Sequence, residues 1–165
     1  MANLKDIRNQ IKSVKSIQKV TKAMKMVAAA KMRKAQENME QARPYTNKLN
    51  DMLNTLIPEV DRNILLELEN REQINQKLFV IITSDRGMAG AFNSNVIRIA
   101  QKEIDDFGKD KSLLICIGKK SVNHFKMRNY TIIKEYTDFW SELNYNHAMD
   151  MGTHIISQFI SGSVD

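Results

Sequence analysis

Apolar residues recur at steps of three and four along the first 43 residues, where Pro and Gly are absent from Asn3 to Arg43. Such spacing places the apolar side chains on one face of a helix. Asn3 is a suitable N-cap, and Asp6 suits the positive end of the helix dipole. About 40 helical residues rise roughly 60 Å. We call this face the apolar stripe: Leu4, Ile7, Ile11, Val14, Ile17, Val20, Met24, Val27, Ala28, Met32, Ala35, Met39 and Ala42.

The pattern changes at Pro44, which lacks an N–H and predicts a kink. Beyond it, residues 45–57 extend the helical pattern as far as Pro58. Residues 59–75 are mostly polar, with leucines at positions 65, 66 and 68, and they predict a short helix or a linker.

Short apolar runs alternate with helical patterns in the second half of the chain. Runs at 78–82, 113–117 and 130–136 predict strands, and the first two have the continuous apolar character of buried strands. Helical spacing follows at 96–107, after Gly118 and at 147–159. This alternation predicts an α/β fold: a long coiled-coil-type helix followed by a Rossmann-like domain with a mostly parallel sheet. We expect a shaft helix at 1–57, a linker or short helix at 58–76, and the α/β domain at 77–165.

Positive charge is concentrated in the helix. Residues 1–48 carry twelve Lys or Arg and three acids, a net +9, whereas the rest of the chain is −3. This asymmetry predicts a polyanionic partner: a nucleic acid, an anionic membrane surface or an acidic protein face. Residues 1–57 contain no Trp or Phe, which weakens the membrane interpretation. A basic-helix nucleic-acid-binding protein remains the main alternative. The cations form a row beside the apolar stripe: Lys5, Arg8, Lys12, Lys15, Lys19 and Lys22.

No pattern of catalytic, cofactor-binding or metal-binding residues emerges. Gly87 and Gly90 follow the first predicted strand, but their G-x-x-G spacing differs from the G-x-G-x-x-G of dinucleotide sites. A nucleotide-binding enzyme domain is therefore a weak third interpretation. The three histidines lack ligand spacing. Cys116 lies inside an apolar run and is expected to be a buried hydrophobe. No run of eighteen apolar residues is present.

Three segments resemble the gamma subunit family of F-type ATP synthases. They are Asp6-Ile7-Arg8, the segment 18–33 (QKVTKAMKMVAAAKMR), and Arg43-Pro44-Tyr45. The loop 84–93 (SDRGMAGAFN) also resembles that family's signature loop after the first strand of its central domain. The resemblance implies a non-catalytic rotor shaft that transmits torque between a proton-driven ring of c subunits and catalytic alpha and beta subunits.

The resemblance also implies partners and positions. Met24, Lys25, Lys31 and Arg33 are expected near an acidic lever loop of a beta subunit, and Arg8 and Ile17 near the stator sleeve. Ser84, Asp85 and Arg86 begin a turn expected to contact neighbouring subunits without holding a phosphate. The central domain is expected near the epsilon subunit and the c ring. The chain itself would lie at the cytoplasmic face of a bacterial plasma membrane, peripheral to the bilayer.

The family's second long helix has no counterpart in this sequence. An apolar face about 60 Å long needs a cover, and no later segment is long enough to supply one. We therefore expect that another chain covers it, or that this sequence is a truncated form of a longer subunit.

Overall fold

The computed structural model describes residues 3–60, 71, 73–140 and 142–165. It divides into two compact units, residues 1–60 and 61–165, and each is described by itself. No helix in the described ranges combines the length and hydropathy needed to cross a membrane.

The first unit is dominated by one helix, α1, which spans Leu4–Leu56. Its 53 residues correspond to about 80 Å of rise. Asn3 caps it, as predicted, with its side chain accepting from the backbone N–H of Lys5 at 3.5 Å. Pro44 lies inside α1 without ending it, and a 3₁₀ turn at Ile57–Glu59 follows. The predicted continuation beyond Pro44 is confirmed, whereas the kink stays a prediction.

The second unit is built around a three-stranded parallel sheet. Its strands are β1 (Lys77–Ile82), β2 (Ser112–Ile117) and β3 (Ile132–Tyr136), in the spatial order β1-β2-β3. Helices α2 (Phe92–Phe107) and α3 (Lys119–Lys126) connect the strands, and α4 (Tyr145–Ile160) follows β3. A parallel pair requires such crossover helices, because each strand must return to the same end of the sheet. The predicted α/β class is confirmed.

Each face of the sheet carries its own apolar core. On one face, Ile81, Leu114 and Cys116 pack with Ile104 of α2 and Phe125 of α3. On the other face, Ile115, Ile117 and Phe139 form a smaller cluster, against which Met151 and Ile155 of α4 pack. Because β2 is covered on both faces, its sequence is a continuous apolar run. The unit therefore has three layers.

The element boundaries differ from the sequence prediction by a few residues. β3 begins at Ile132, two residues later than predicted, because Asn129 and Tyr130 close a turn onto Lys126 and Phe125. α2 begins at Phe92 rather than near Val96, since the three residues after Phe92 are polar and lack the apolar spacing that marks the rest. Most of the predicted linker at 58–76, including its three leucines, lies outside the described residues.

Candidate functional site

Two surfaces carry the residues that the sequence singled out, one in each unit. The first is the exposed side of α1. The helix by itself buries none of its residues, so its apolar stripe faces outward. Ile17 is 59% exposed and Met24 is 64% exposed, which is unusual for large apolar side chains on one stripe. This surface has the character of an uncovered packing face.

The cations on α1 are also exposed, and most have no acid within the described chain to pair with. The exception is Arg33, whose Nε lies 2.8 Å from Oε1 of Glu37 one turn later. Both side chains are more than half exposed, so this ion pair is worth less than about 0.5 kcal/mol. Arg8, Lys25 and Lys31 make no ion pair among the described residues. The predicted helix cations are therefore exposed and available to acidic groups.

The second surface lies where the carboxyl ends of the three parallel strands meet. Thr83 directly follows β1, and its buried hydroxyl accepts from the backbone N–H of Ser121 at the start of α3, at 2.9 Å. Gly118 makes this approach possible. A Cβ at Gly118 would lie 2.1 Å from the carbonyl oxygen of Thr83, and its φ is +98°. Only glycine fits this position.

Asp85 joins the loops that follow all three strands. Its Oδ1 accepts from the backbone N–H of Lys119, after β2, at 2.8 Å. Its Oδ2 accepts from the backbone N–H of Asp138, after β3, also at 2.8 Å. The side chains of Lys119 and Asp138 pair with each other at 2.6 Å. We call these three residues the Asp85 bridge.

The ion pair of the Asp85 bridge affects the ionisation of both of its side chains. The hydrogen bond between them raises the pKa of Lys119 and lowers the pKa of Asp138, so both charged forms are favoured. Asp138 also has a φ of +65°, an uncommon conformation for a residue other than glycine. The backbone is thus held in an unfavourable conformation by the contacts around it.

Ser84 is likewise engaged within the chain. Its backbone N–H donates to Oδ1 of Asn93 at 3.0 Å, and its hydroxyl accepts from Nδ2 of Asn93 at 2.9 Å. The same hydroxyl donates to the carbonyl oxygen of Arg86 at 2.6 Å. Arg86 itself is exposed, and its side chain makes no hydrogen bond or ion pair in the described part of the chain. Met88 projects fully into solvent, with a φ of +62°.

A shallow groove of about 870 Å³ runs beside this loop, between α2 and α3. Its lining mixes cations such as Arg98 and Lys120 with acids such as Asp105. Ala91, the residue before α2, provides no side-chain cap. Because the groove is lined by both cations and acids, it lacks the excess of positive charge that would favour binding of a phosphate. Within the described ranges, no group of three His, Cys, Asp or Glu residues has the geometry of a metal site. The groove has the character of a surface depression, without a built anion or metal site.

The remaining chemically interesting residues have structural roles. Cys116 is fully buried, and burial raises the pKa of its thiol to about 12, so it is a poor nucleophile. His124 contacts the side-chain amide of Gln101 at 3.0 Å. Sequence reasoning missed Asn93, Lys119 and Asp138 as partners of the signature loop. The signal for Asn93 was its place within the resembling segment, and Gly118-Lys119-Lys120 also resembles that family. Asp138 had no signal, because its backbone N–H group makes the key contact.

Comparison with known proteins identifies the family context. A family model for ATP synthase matches residues 3–165. The ATP synthase gamma chain of Prosthecochloris aestuarii is 46% identical over the whole chain, and that of Chlorobium phaeobacteroides strain BS1 is 42% identical. The chain spans 58% of the length of each of these two relatives.

Two solved structures share the fold. The central stalk and c-ring structure of the Tetrahymena thermophila mitochondrial ATP synthase contains a chain that matches with a TM-score of 0.66 and 23% identity, covering 84% of this chain and 59% of that one. A chain of the Euglena gracilis mitochondrial ATP synthase matches with a TM-score of 0.51 and 20% identity, covering 91% and 46%.

Proposed function

The chain belongs to the ATP synthase gamma chain family, and from that premise we propose that it forms part of a central rotor shaft that transmits torque within an ATP synthase. In this role the chain catalyses nothing. It couples the rotation of a membrane ring of c subunits to conformational change in alpha and beta subunits, where ATP is made. The complex would lie at the cytoplasmic face of a bacterial membrane, with this chain peripheral to the bilayer.

The observation that carries the proposal is α1, a 53-residue helix with an exposed apolar stripe and a cationic row that makes no ion pair among the described residues. A helix of this length is poorly suited to a small globular core, and it is well suited to reach between distant partners. Burying the stripe against a second helix would contribute about 25 cal/mol per Å² of apolar surface. The apolar stripe would thus stabilise a coiled coil by packing against a second helix. The cations beside it would then face the surrounding subunits.

We further propose that the helix contacts follow the positions predicted from the sequence. Met24, Lys25, Lys31 and Arg33 would face acidic residues of a beta subunit, and Arg8 and Ile17 would face the alpha and beta sleeve. Their exposure supports this arrangement, and so does the absence of acids beside most of them. Ser84, Asp85 and Arg86 would belong to a second contact, with the epsilon subunit or the c ring among its neighbours.

The proposal is tested by assembly and coupling. Residues 1–165 would replace the matching segment of the P. aestuarii gamma chain, and the hybrid would be assembled with the alpha, beta and epsilon subunits and the membrane sector. ATP-driven proton pumping by the assembled complex, in membrane vesicles, is the expected result. A hybrid that folds and does not enter the complex, or that hydrolyses ATP without pumping, would contradict the proposal.

The nucleic-acid alternative is tested separately. A basic helix that binds duplex DNA does so with a strong dependence on salt, because each phosphate contact releases a counterion. We expect only weak, sequence-independent binding by this chain, lost at physiological salt. Tight and sequence-selective binding under those conditions would favour the alternative.

A further inference from the structure

We propose that Asp85 acts as a positioning residue, which fixes the three loops at the carboxyl edge of the sheet so that Arg86 is presented to a partner. This inference rests on the proposed function, since it assigns a role inside the predicted partner contact. It gives Asp85 a different task from that of a residue which touches the partner through its own carboxylate. The acidic partner surface is met by Arg86, and Asp85 holds Arg86 in place.

The first argument is the use of the Asp85 carboxylate. One oxygen accepts the backbone N–H of Lys119 and the other accepts that of Asp138, each at 2.8 Å. These residues lie 34 and 53 positions away along the sequence, so one side chain joins three loops that are distant along the chain. An ionised carboxylate is an acceptor only, so it suits two donors arriving from different loops.

The second argument is that the Asp85 bridge is closed. Lys119 and Asp138 are held by the same carboxylate, and their side chains pair with each other at 2.6 Å. The backbone N–H of Lys120 also donates to the carbonyl oxygen of Ser84, the residue before Asp85, at 3.2 Å. Four contacts therefore fix the base of the loop. Loops are ordinarily the mobile parts of a fold, and these contacts reduce the conformational freedom of this one.

The third argument is the contrast between Asp85 and its neighbour Arg86. Asp85 is half-buried with both oxygens occupied, whereas Arg86 is exposed and its guanidinium has no partner among the described residues. The carbonyl of Arg86 is nevertheless fixed by the hydroxyl of Ser84 at 2.6 Å. A backbone held on both sides and a free cationic side chain together make a preorganised contact for a carboxylate, because less entropy is lost on binding.

The test separates positioning from contact with two matched variants. Asp85→Asn keeps the size of the side chain and replaces one acceptor oxygen with a donor NH₂, which cannot accept from a backbone N–H. Arg86→Ala removes the proposed contact and leaves the Asp85 bridge intact. Hydrogen exchange at the amides of Lys119 and Asp138 is measured in the 165-residue chain. Proton pumping per ATP hydrolysed is measured in the complex assembled with a full-length hybrid gamma chain.

We expect Asp85→Asn to accelerate exchange at one or both amides by roughly ten- to a hundredfold, the loss expected for a hydrogen bond to a charged acceptor. It should also lower pumping efficiency, and Asp85→Glu should restore part of both properties. Arg86→Ala should lower pumping efficiency and leave both amides protected. The double variant should pump no worse than Arg86→Ala alone. Once the Arg86 side chain has been removed, loss of the residue that positions it has no further effect.

Unchanged exchange in Asp85→Asn would overturn the proposal, and so would faster exchange with unchanged pumping. Additive losses in the double variant would show that Asp85 has its own contact, which also overturns it. These results are distinguishable from failure of the proposed function, in which the hybrid with the natural sequence would itself fail to pump. The exchange measurement does not depend on the complex and would still report on the Asp85 bridge. Asp106→Asn, an exposed carboxylate on α2 outside the Asp85 bridge, is the control for loss of one negative charge.

Discussion

Single residues in this chain matter most where two segments of backbone come together. Gly118 is the clearest case, because its absent side chain leaves room for the carbonyl of Thr83. The buried hydroxyls of Thr83 and Ser121 then satisfy each other at the junction of β1, β2 and α3. A buried polar pair of this kind is stable only while both partners remain bonded. The edge of the sheet that carries the signature loop therefore depends on one glycine.

Gly118→Ala should destabilise the α/β unit by about 2 kcal/mol or more, because the new methyl group meets backbone atoms and alanine disfavours a φ of +98°. Gly152→Ala is the matched control. Gly152 lies inside α4 with open space around it, so alanine should stabilise the helix by about 0.5–1 kcal/mol. Urea unfolding followed by the fluorescence of Trp140, the single tryptophan, measures both. Equal stability of the two variants would contradict this account.

The acids at the two ends of the sheet should make the α/β unit sensitive to acid. Lys119 lowers the pKa of Asp138, and the backbone N–H groups of Asn75 and Gln76 lower the pKa of Asp165. A carboxyl group whose pKa is lower in the folded protein stabilises the fold at pH values above 3.8, its pKa in the unfolded chain. This stabilisation is lost as the pH falls through the lower pKa of the folded state. We expect Asp138→Asn to be less stable than the natural sequence at pH 6.

The difference between Asp138→Asn and the natural sequence should shrink below pH 3.8, where the unfolded carboxyl binds a proton. Urea midpoints at several pH values, again read by Trp140 fluorescence, provide the measurement. Asp106→Asn removes an exposed carboxylate on the surface of α2 and is the control for loss of one negative charge. If the urea midpoints of Asp138→Asn and the natural sequence differed by the same amount from pH 6 to pH 2, the charge of the Asp138 carboxylate would not contribute to stability.

Among the elements, α1 is unusual because its residues gain almost nothing from burial within their own unit. Its N-cap and its regular 3.6-residue period were predictable from the sequence, since both depend on neighbours one turn away. Its stability is a different matter. Most of the stability of protein helices comes from tertiary packing, whereas the described contacts of α1 are local: its backbone ladder, its cap, hydroxyl-to-backbone bonds such as that of Thr21 to Ile17, and the pair Arg33–Glu37.

In the 165-residue chain, we therefore expect the amides of α1 to exchange much faster than those of β2 when the protein is dilute. The net charge of +9 on residues 1–48 opposes association of copies at low salt, and added salt should screen it. Protection of α1 should then increase with protein concentration and with salt, whereas protection of β2 should not. A dilute monomer with α1 fully protected would contradict this prediction.

Met24 provides a second prediction at the level of the helix. Methionine is unbranched and polarizable, so it adapts to a series of different surfaces as a shaft turns. A cation at this position would add a fixed attraction to any acidic neighbour. In a complete gamma chain, we expect Met24→Lys to lower the protons pumped per ATP by about two- to fivefold, since exposed ion pairs contribute at most about 1 kcal/mol. Met24→Leu is the control, and equal pumping by both variants would refute the idea.

At the scale of the molecule, local patterns were predictable and long-range contacts were not. The run from Leu113 to Ile117 indicated a strand buried on both faces, and the structure confirms it. The α/β class followed from the order of such runs. The partners of Asp85 could not be predicted, because a carboxylate that accepts from backbone N–H groups leaves no residue-type signal at the donor positions. Asp138 had no helical or strand spacing to mark it, and only the folded sheet brings it to Asp85.

Cys116 offers a measure of how the α/β unit opens as a whole. Its thiol is fully buried in the core between β2 and the helices, so a reagent reaches it only after the core opens. We expect alkylation of Cys116 to be slower than that of an exposed thiol by about a thousandfold or more, as for an opening free energy near 4–5 kcal/mol. Met127→Cys places a control thiol at a position that is 82% exposed. Equal labelling of the two thiols would contradict a closed core.

The exposed methionines of α1 have a chemical consequence. Met24, Met26, Met32, Met39 and Met52 each leave half or more of their surface uncovered on the helix. Peroxide converts such thioethers to sulfoxides, which are polar and chiral, and enzymatic reduction is needed to restore them. A copy that waits unassembled under oxidative stress would thus carry oxygen atoms along the surface that has to pack, whereas a copy already covered by partners would be spared. The age and oxidative history of a subunit before assembly would then determine how well its helix fits.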